Sequence, residues 1–218
     1  VIEYAVKLGI ACGCNIREVN EYARKNYFYA DLPKGYQITQ DKTPICTDGH
    51  ITIKTKSGEE EKNLQTCSVI WQAMTDRTMD RYACLIVLGG GVLGDMGGFC
   101  ASTYKRGIDF VLVPTTLLAQ ADASIGGKLG IDFNHYKNHI GVFHHPALTL
   151  LYSSFLKTLP QSELRSGFAE IIKHALISDK ALWEDISAKK LTEQNWDALI
   201  RHSEQFKAKV TTEDPTKK

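Results

Sequence analysis

The spacing of apolar and polar positions changes near residue 57. Before it, His50-Ile51-Thr52-Ile53-Lys54-Thr55 alternates with a period of two after an Asp48-Gly49 turn, which predicts an exposed strand. Tyr27-Phe28-Tyr29 and Gly35-Tyr36 flank a Pro/Gly turn at 31–35, and the polar run 56–62 reads as a linker. Beyond it, Val69, Ile70, Ala73 and Met74 recur at helical spacing within 68–79. Cys84 to Leu88 is an unbroken apolar run, expected of a strand covered on both faces. A helix is predicted over 95–104, and Phe110 to Val113 forms a second buried strand stopped by Pro114. Residues 115–124 predict a helix capped by Thr115. Strand signals end at Leu151. Pro160 and Ser162 open a helix with an apolar stripe of Leu164, Phe168, Ile171, Ile172, Ala175 and Leu176, and helices follow at 180–188 and 192–210. The fold class is therefore α/β, a parallel sheet leading into helices, with ligands expected at the carboxyl ends of the strands.

Composition narrows the functional classes. The 218 residues carry 26 Lys and Arg against 25 Asp and Glu, a formal charge of +1 without basic or acidic blocks. That balance argues against nucleic acid and against a polybasic membrane anchor as partners. No apolar run reaches the roughly 20 residues of a membrane span. Six scattered cysteines (Cys12, Cys14, Cys46, Cys67, Cys84, Cys100) with no CxxC pair are read as reduced thiols of a cytoplasmic protein.

Three groups of residues can carry chemistry. Gly89, Gly91 and Gly94 satisfy GxGxxG between a strand and a helix, where backbone amides and the helix N-terminus can receive a pyrophosphate. The same glycines also suit a tight structural turn, and the acidic ribose partner expected about 20 positions on, at the end of the next strand, has no clear counterpart, since Asp109 precedes its strand instead. Lys128, after Gly126-Gly127, and Lys137-Asn138 place cations in loops, either solvated or available to an oxyanion. Glu170 and Lys173 lie three apart, opposite the apolar stripe and on one face with Ser166 and His174. They form either an exposed ion pair or one wall of a cleft with Glu170 as a metal ligand. No HExxH and no nucleophile elbow is present.

Residues 58–217 resemble 3-dehydroquinate synthase through an ordered series of motifs. These are GEEEK at 58–62, GGGVLGD at 89–95, TYKRG at 103–107, VPTTLLAQADASIGGK at 113–128, KNHIGVF at 137–143, FLKTLP at 155–160 and SGFAEIIKHALISD at 166–179. The resemblance implies a Rossmann-like NAD domain over 58–160 and the start of a helical metal-binding domain over 161–218. It implies an NAD- and zinc- or cobalt-dependent lyase of the shikimate pathway, converting 3-deoxy-arabino-heptulosonate 7-phosphate to 3-dehydroquinate and phosphate. Matched by position, NAD is expected to contact Glu59, Lys62, Gly90, Gly91, Val92, Leu93, Gly94, Asp95, Thr115, Thr116, Lys128, Lys137, Phe155, Leu156, Lys157 and Thr158. Asp122, Lys128, Asn138, Lys173 and Lys207 match substrate-side residues, and Arg106 matches an arginine reaching the substrate phosphate across a homodimer interface. Glu170 matches the first zinc ligand.

Two departures qualify these expectations. Leu129 stands where family members carry a threonine after GGK. The family's two zinc-binding histidines lie beyond an EDPT-like stretch and have no counterpart before Lys218, which implies an incomplete metal site and little or no turnover. Residues 4–56, with AVKLGIACGC at 5–14 and RKNYFYADLPKGYQITQ at 24–40, instead resemble the B subunit of the glutamyl/aspartyl-tRNA amidotransferase, so 1–57 is read as a separate segment. The alternatives to a working lyase are a non-catalytic NAD-binding remnant and an amidotransferase-subunit chimaera.

Overall fold

A computed structural model of the chain describes residues 53, 55, 56 and 58–213. The aromatic stretches at 27–36 and the cysteines Cys12, Cys14 and Cys46 lie outside the described residues. Of the strand expected at 50–55, Ile53 and Thr55 are described and belong to no strand. The polar run taken for a linker is structured instead. Glu59–Glu61 forms a 3-10 turn, and Lys62 is sealed to 3% exposure. Helix α1 (Leu64–Asp76) follows, capped by Asn63, whose side-chain oxygen accepts from the Thr66 amide at 3.0 Å.

The sheet is parallel, in the order β1-β2-β5, with β1 at Cys84–Gly89, β2 at Asp109–Pro114 and β5 at Leu148–Thr149. Parallel neighbours need a crossover, and helix α2 (Gly91–Thr103) provides it between β1 and β2. The sheet order explains one correction. Strand β2 sits between two neighbours and buries every residue from Phe110 to Pro114. Strand β1 is an edge strand among the described residues, and Ile86 stays 40% exposed, so β1 is not covered on both faces. The strand predicted at 110–113 also extends through Pro114 rather than stopping before it.

After β2 the chain makes a π-helical turn at Ala119–Ala123 rather than the regular helix expected over 115–124. The side chain that bonds its first amide is that of Thr116, not Thr115: the Thr116 hydroxyl accepts from the Ala119 amide at 3.2 Å. A separate antiparallel hairpin follows, β3 (Lys128–Phe133) with β4 (Tyr136–Phe143). Lys128, Lys137 and Asn138 therefore sit on strands, not in loops. Leu129 is buried beneath α2, where a Cβ on Gly98 would fall 2.4 Å from its Cδ2; it packs in the core instead of facing the turn. The first core joins α1, α2, the sheet and the hairpin through Met74, Met96, Phe99, Phe110 and Ile131.

A second core is helical. A 3-10 turn (Ser153–Thr158) leads to α3 (Gln161–Ser178), α4 (Lys180–Ser187) and α5 (Trp196–Glu213). Leu164, Ile171, Ala175, Ile186, Leu199 and Ile200 meet there with Leu117 and Leu156. The stripe predicted for α3 is correct except at Leu176, which is 58% exposed. Gly167 is the contact that fixes α3. A Cβ there would lie 2.4 Å from the Leu118 amide nitrogen, so only glycine lets the helix reach the turn after β2.

Candidate active site

The glycine turn follows β1 directly and opens α2. Gly90 is its N-cap in extended conformation and no side chain caps the helix, so the amides of its first turn lack an intrahelical partner. Gly89 to Asp95 all remain partly exposed; the turn is not packed shut. Thr115 donates its amide to the Gly89 carbonyl at 2.9 Å, and Thr116 lies beside Gly90. Uncapped amides, a helix N-terminus and a bare backbone suit a pyrophosphate. A Cβ on Gly91 would touch Ala123 at 3.4 Å, which sets this turn one residue from Asp122.

Asp122, Glu170 and His174 converge, with one donor atom from each lying within 4.8 Å of the others. Gly167 allows this by drawing α3 against the turn that carries Asp122. The Nε2 of His174 stands 3.2 Å from Glu170 Oε1 and 4.0 Å from Asp122 Oδ1. The imidazole is fully buried beside Phe206, and neither ring nitrogen makes a hydrogen bond. Burial holds its pKa below the usual value against the opposing pull of Glu170. Two lysines frame the group: Lys173 pairs with Glu170, and Lys207 pairs with Asp122. Donors about 2.0–2.1 Å from a tetrahedral zinc stand about 3.3–3.4 Å apart; the 3.2 Å between His174 Nε2 and Glu170 Oε1 fits that spacing, whereas Asp122 at 4.0 Å would have to move in to join them.

The expected site residues divide between two regions. Asp122, Glu170, Lys173 and Lys207 come together as described. Gly90 to Gly94, Thr115 and Thr116 gather at the turn. Lys62, Asp95 and Asn138 meet in one hydrogen-bonded knot, while Lys137 pairs with Glu59 at 3.2 Å on the surface. Phe155, Leu156, Lys157 and Thr158 occupy the 3-10 turn after β5, but the Leu156 side chain is packed into the helical core and has no free face. Lys128 is exposed on β3. Arg106 is exposed on a 3-10 turn (Tyr104–Arg106) with φ +72. His174 was placed on the Glu170 face by helical period, but its full burial against α5 was not legible from α3 alone. A histidine four residues after a glutamate was the available signal.

Comparison with known proteins gives the family and the fold. Residues 52–166 match the 3-dehydroquinate synthase N-terminal family and residues 167–218 its C-terminal family. The chain belongs to the 3-dehydroquinate synthase family. It is 40% identical over 186 residues to the 3-dehydroquinate synthase of Acetivibrio thermocellus, covering 85% of this chain and 47% of that protein. It is 44% identical over 163 residues to that of Nitratiruptor, covering 74% and 47%. The chain thus spans about half the length of the curated relatives it matches. Among solved structures it resembles 2-epi-5-epi-valiolone synthase from Streptomyces hygroscopicus with NAD+ and Zn2+ bound (TM-score 0.69, 32% identity, 74% of this chain and 47% of that one). It also resembles 2-deoxy-scyllo-inosose synthase complexed with carbaglucose-6-phosphate, NAD+ and Co2+ (TM-score 0.68, 26% identity, 76% and 48%). The Rossmann-like α/β fold expected from the motifs is the observed one. Residues 1–74 match the GatB/GatE catalytic domain, which overlaps the synthase match from residue 52 through most of α1. Among the described residues no helix is long and apolar enough to cross a membrane.

Proposed function

We propose that this chain carries the cofactor side and part of the metal side of a 3-dehydroquinate synthase, acting on 3-deoxy-arabino-heptulosonate 7-phosphate. The observation that carries this reading is the adjacency of two sites. The uncapped glycine turn stands one residue from a carboxylate–imidazole cluster framed by two lysines. An NAD bound at the turn would accept a hydride from a substrate alcohol and return it, acidifying the neighbouring C–H in between so that phosphate can leave. A zinc or cobalt ion held by Glu170 with Asp122 or His174 would polarise substrate hydroxyls.

The chain's own residues would do the rest. First-turn amides of α2 would hold the pyrophosphate, with Thr115 and Thr116 beside the turn and Lys128 and Lys137 of the hairpin as the further cofactor contacts. Lys173 and Lys207, which pair with Glu170 and Asp122 in the free chain, would turn their ammonium groups to an anionic sugar phosphate when those carboxylates are engaged elsewhere. Residues 58–160 would serve as the NAD domain and 161–218 as the opening of the metal domain, with Arg106 donated across a homodimer. The decisive assay is phosphate release from the heptulosonate phosphate with NAD+ and Zn2+ added. Melting-temperature shifts with NAD+ and with Zn2+ measured separately complete the test: a Zn2+ shift that Glu170→Gln removes supports the reading even where turnover is low. An NAD+ shift with no Zn2+ shift favours the NAD-binding remnant, and the match of residues 1–74 to an amidotransferase domain is what favours a chimaeric chain.

A further inference from the structure

Against the glycine turn lies a cavity of about 10 Å³, room for a single water-sized atom, whose wall includes Gly89, Gly91, Gly94, Pro114, Ala123 and Ser124. Ser124 is the only residue of that wall with a polar side chain. It is 8% exposed, and its hydroxyl makes no hydrogen bond. Its backbone is fixed all the same, since the Ser124 amide donates to the Ala119 carbonyl at 3.1 Å and closes the π-helical turn. A buried hydroxyl without a partner is worse for folding than a methyl group, so stability alone favours alanine here. Two further features meet at the same cavity. The first turn of α2 brings its amides, which have no intrahelical partner, and Gly94 leaves its side of the helix open, with no protein atom within 4 Å of a Cβ built there.

We propose that Ser124 is a further residue of the cofactor site, whose hydroxyl donates to a pyrophosphate oxygen of the dinucleotide as that oxygen enters the cavity. The inference rests on the glycine turn receiving NAD, and it adds a donor outside the set expected from the motif match. A phosphate oxygen is water-sized and accepts more than one hydrogen bond, so an α2 amide and the Ser124 hydroxyl can serve the same atom. A bond from a hydroxyl to a charged acceptor is stronger than one between neutral groups. Because the hydroxyl has no partner in the free chain, no bond has to break before the cofactor is received, and its place on the fixed turn costs little ordering on binding.

The test compares the full chain with Ser124→Ala, using NAD+ and ADP-ribose as probes; the second carries the pyrophosphate without the nicotinamide. Calorimetry gives the dissociation constants, and thermal unfolding without ligand gives the stability of each chain. Both probes are expected to bind Ser124→Ala about tenfold or more weakly, the loss that goes with one hydrogen bond to a charged group. The ligand-free variant is expected to melt no lower than the parent, since it sheds an unpartnered buried hydroxyl. A serine with a structural role alone gives the opposite pattern, a lower melting temperature with both constants unchanged. Unchanged NAD+ affinity in Ser124→Ala overturns the inference whatever the melting temperature. So does a loss confined to NAD+, which puts the hydroxyl against the nicotinamide end, and so does a variant that melts lower, whose hydroxyl already serves the free fold. If the unaltered chain binds neither probe, the functional reading fails and takes this inference with it.

Discussion

Asp95 and Cys84 are ionisable groups held away from their usual behaviour by burial. Desolvation raises the Asp95 pKa above 3.8, and the nearby Lys62 ammonium pulls against it without winning. A carboxyl whose folded pKa is raised binds its proton more tightly in the folded chain. Its contribution to stability is therefore complete below pH 3.8 and is lost as pH rises through the higher folded value. Subtracting Asp95→Asn from the parent in urea titrations should give a stability difference that falls with pH from about 4 upward and then levels. A flat difference would contradict it. Cys84 is pushed up to about 12 by burial, with Asp109 adding to the effect. At pH 8 it should alkylate far more slowly than an open thiol, as peptide mapping after iodoacetamide would show, because only the thiolate attacks. Neither shift could be read from the sequence, since both depend on what the fold brings alongside. The Glu170, Lys173 and His174 face was legible from the helical period. Its partner Asp122 was not, because 48 positions separate Asp122 from Glu170 and no local pattern records that a turn and a helix will meet.

The elements that matter are the ones that break a regular pattern. The π-helical turn at Ala119–Ala123 passes for an ordinary helix in the sequence, since its residues have good helical propensity. Gln120 shows why it deviates: its buried amide donates to the carbonyls of Pro114 and Tyr152, tying the turn to β2 and to the segment after β5. Strands β1 and β2 were legible because apolar runs bounded by glycine and proline are strong signals, whereas the two-residue β5 is too short to leave a pattern. The edge position of β1 was not, since burial of one strand depends on which others flank it. The hairpin was missed because Gly126, Gly127 and the polar β4 surface hide its alternation. Gly167 is the element-scale test of the site. Gly167→Ala places a Cβ against the backbone of Leu118, which cannot yield as a side chain can. Denaturant titration should show a loss of about 1–3 kcal/mol, the usual range for overpacking, despite the better helix propensity of alanine. The same displacement should open the gap between Glu170 and Asp122 and weaken Co2+ uptake, read from its visible absorption.

At the scale of the whole molecule, the two regions lie on different elements but share the turn after β2, and ligands can report on them separately. A ligand bound only by the folded chain at 100 times its dissociation constant adds about 2.7 kcal/mol, which for a domain of this size corresponds to roughly 5–11 °C in melting temperature. Glu170→Gln should abolish the shift with Zn2+ and leave the shift with NAD+ in place, since Glu170 belongs to α3 and not to the glycine turn. Gly94 gives the complementary variant. It lies inside α2, and a Cβ there meets no protein atom within 4 Å, so its side of the helix is open. Gly94→Ala should on helix propensity alone stabilise the free chain by about 0.5–1 kcal/mol. If that open space is where the pyrophosphate rests, the added methyl group stands in its way, and the NAD+ shift should collapse while the Zn2+ shift survives. A variant that melts higher alone and still gains the full NAD+ shift would place the cofactor elsewhere, because no loss of folding could then account for the result.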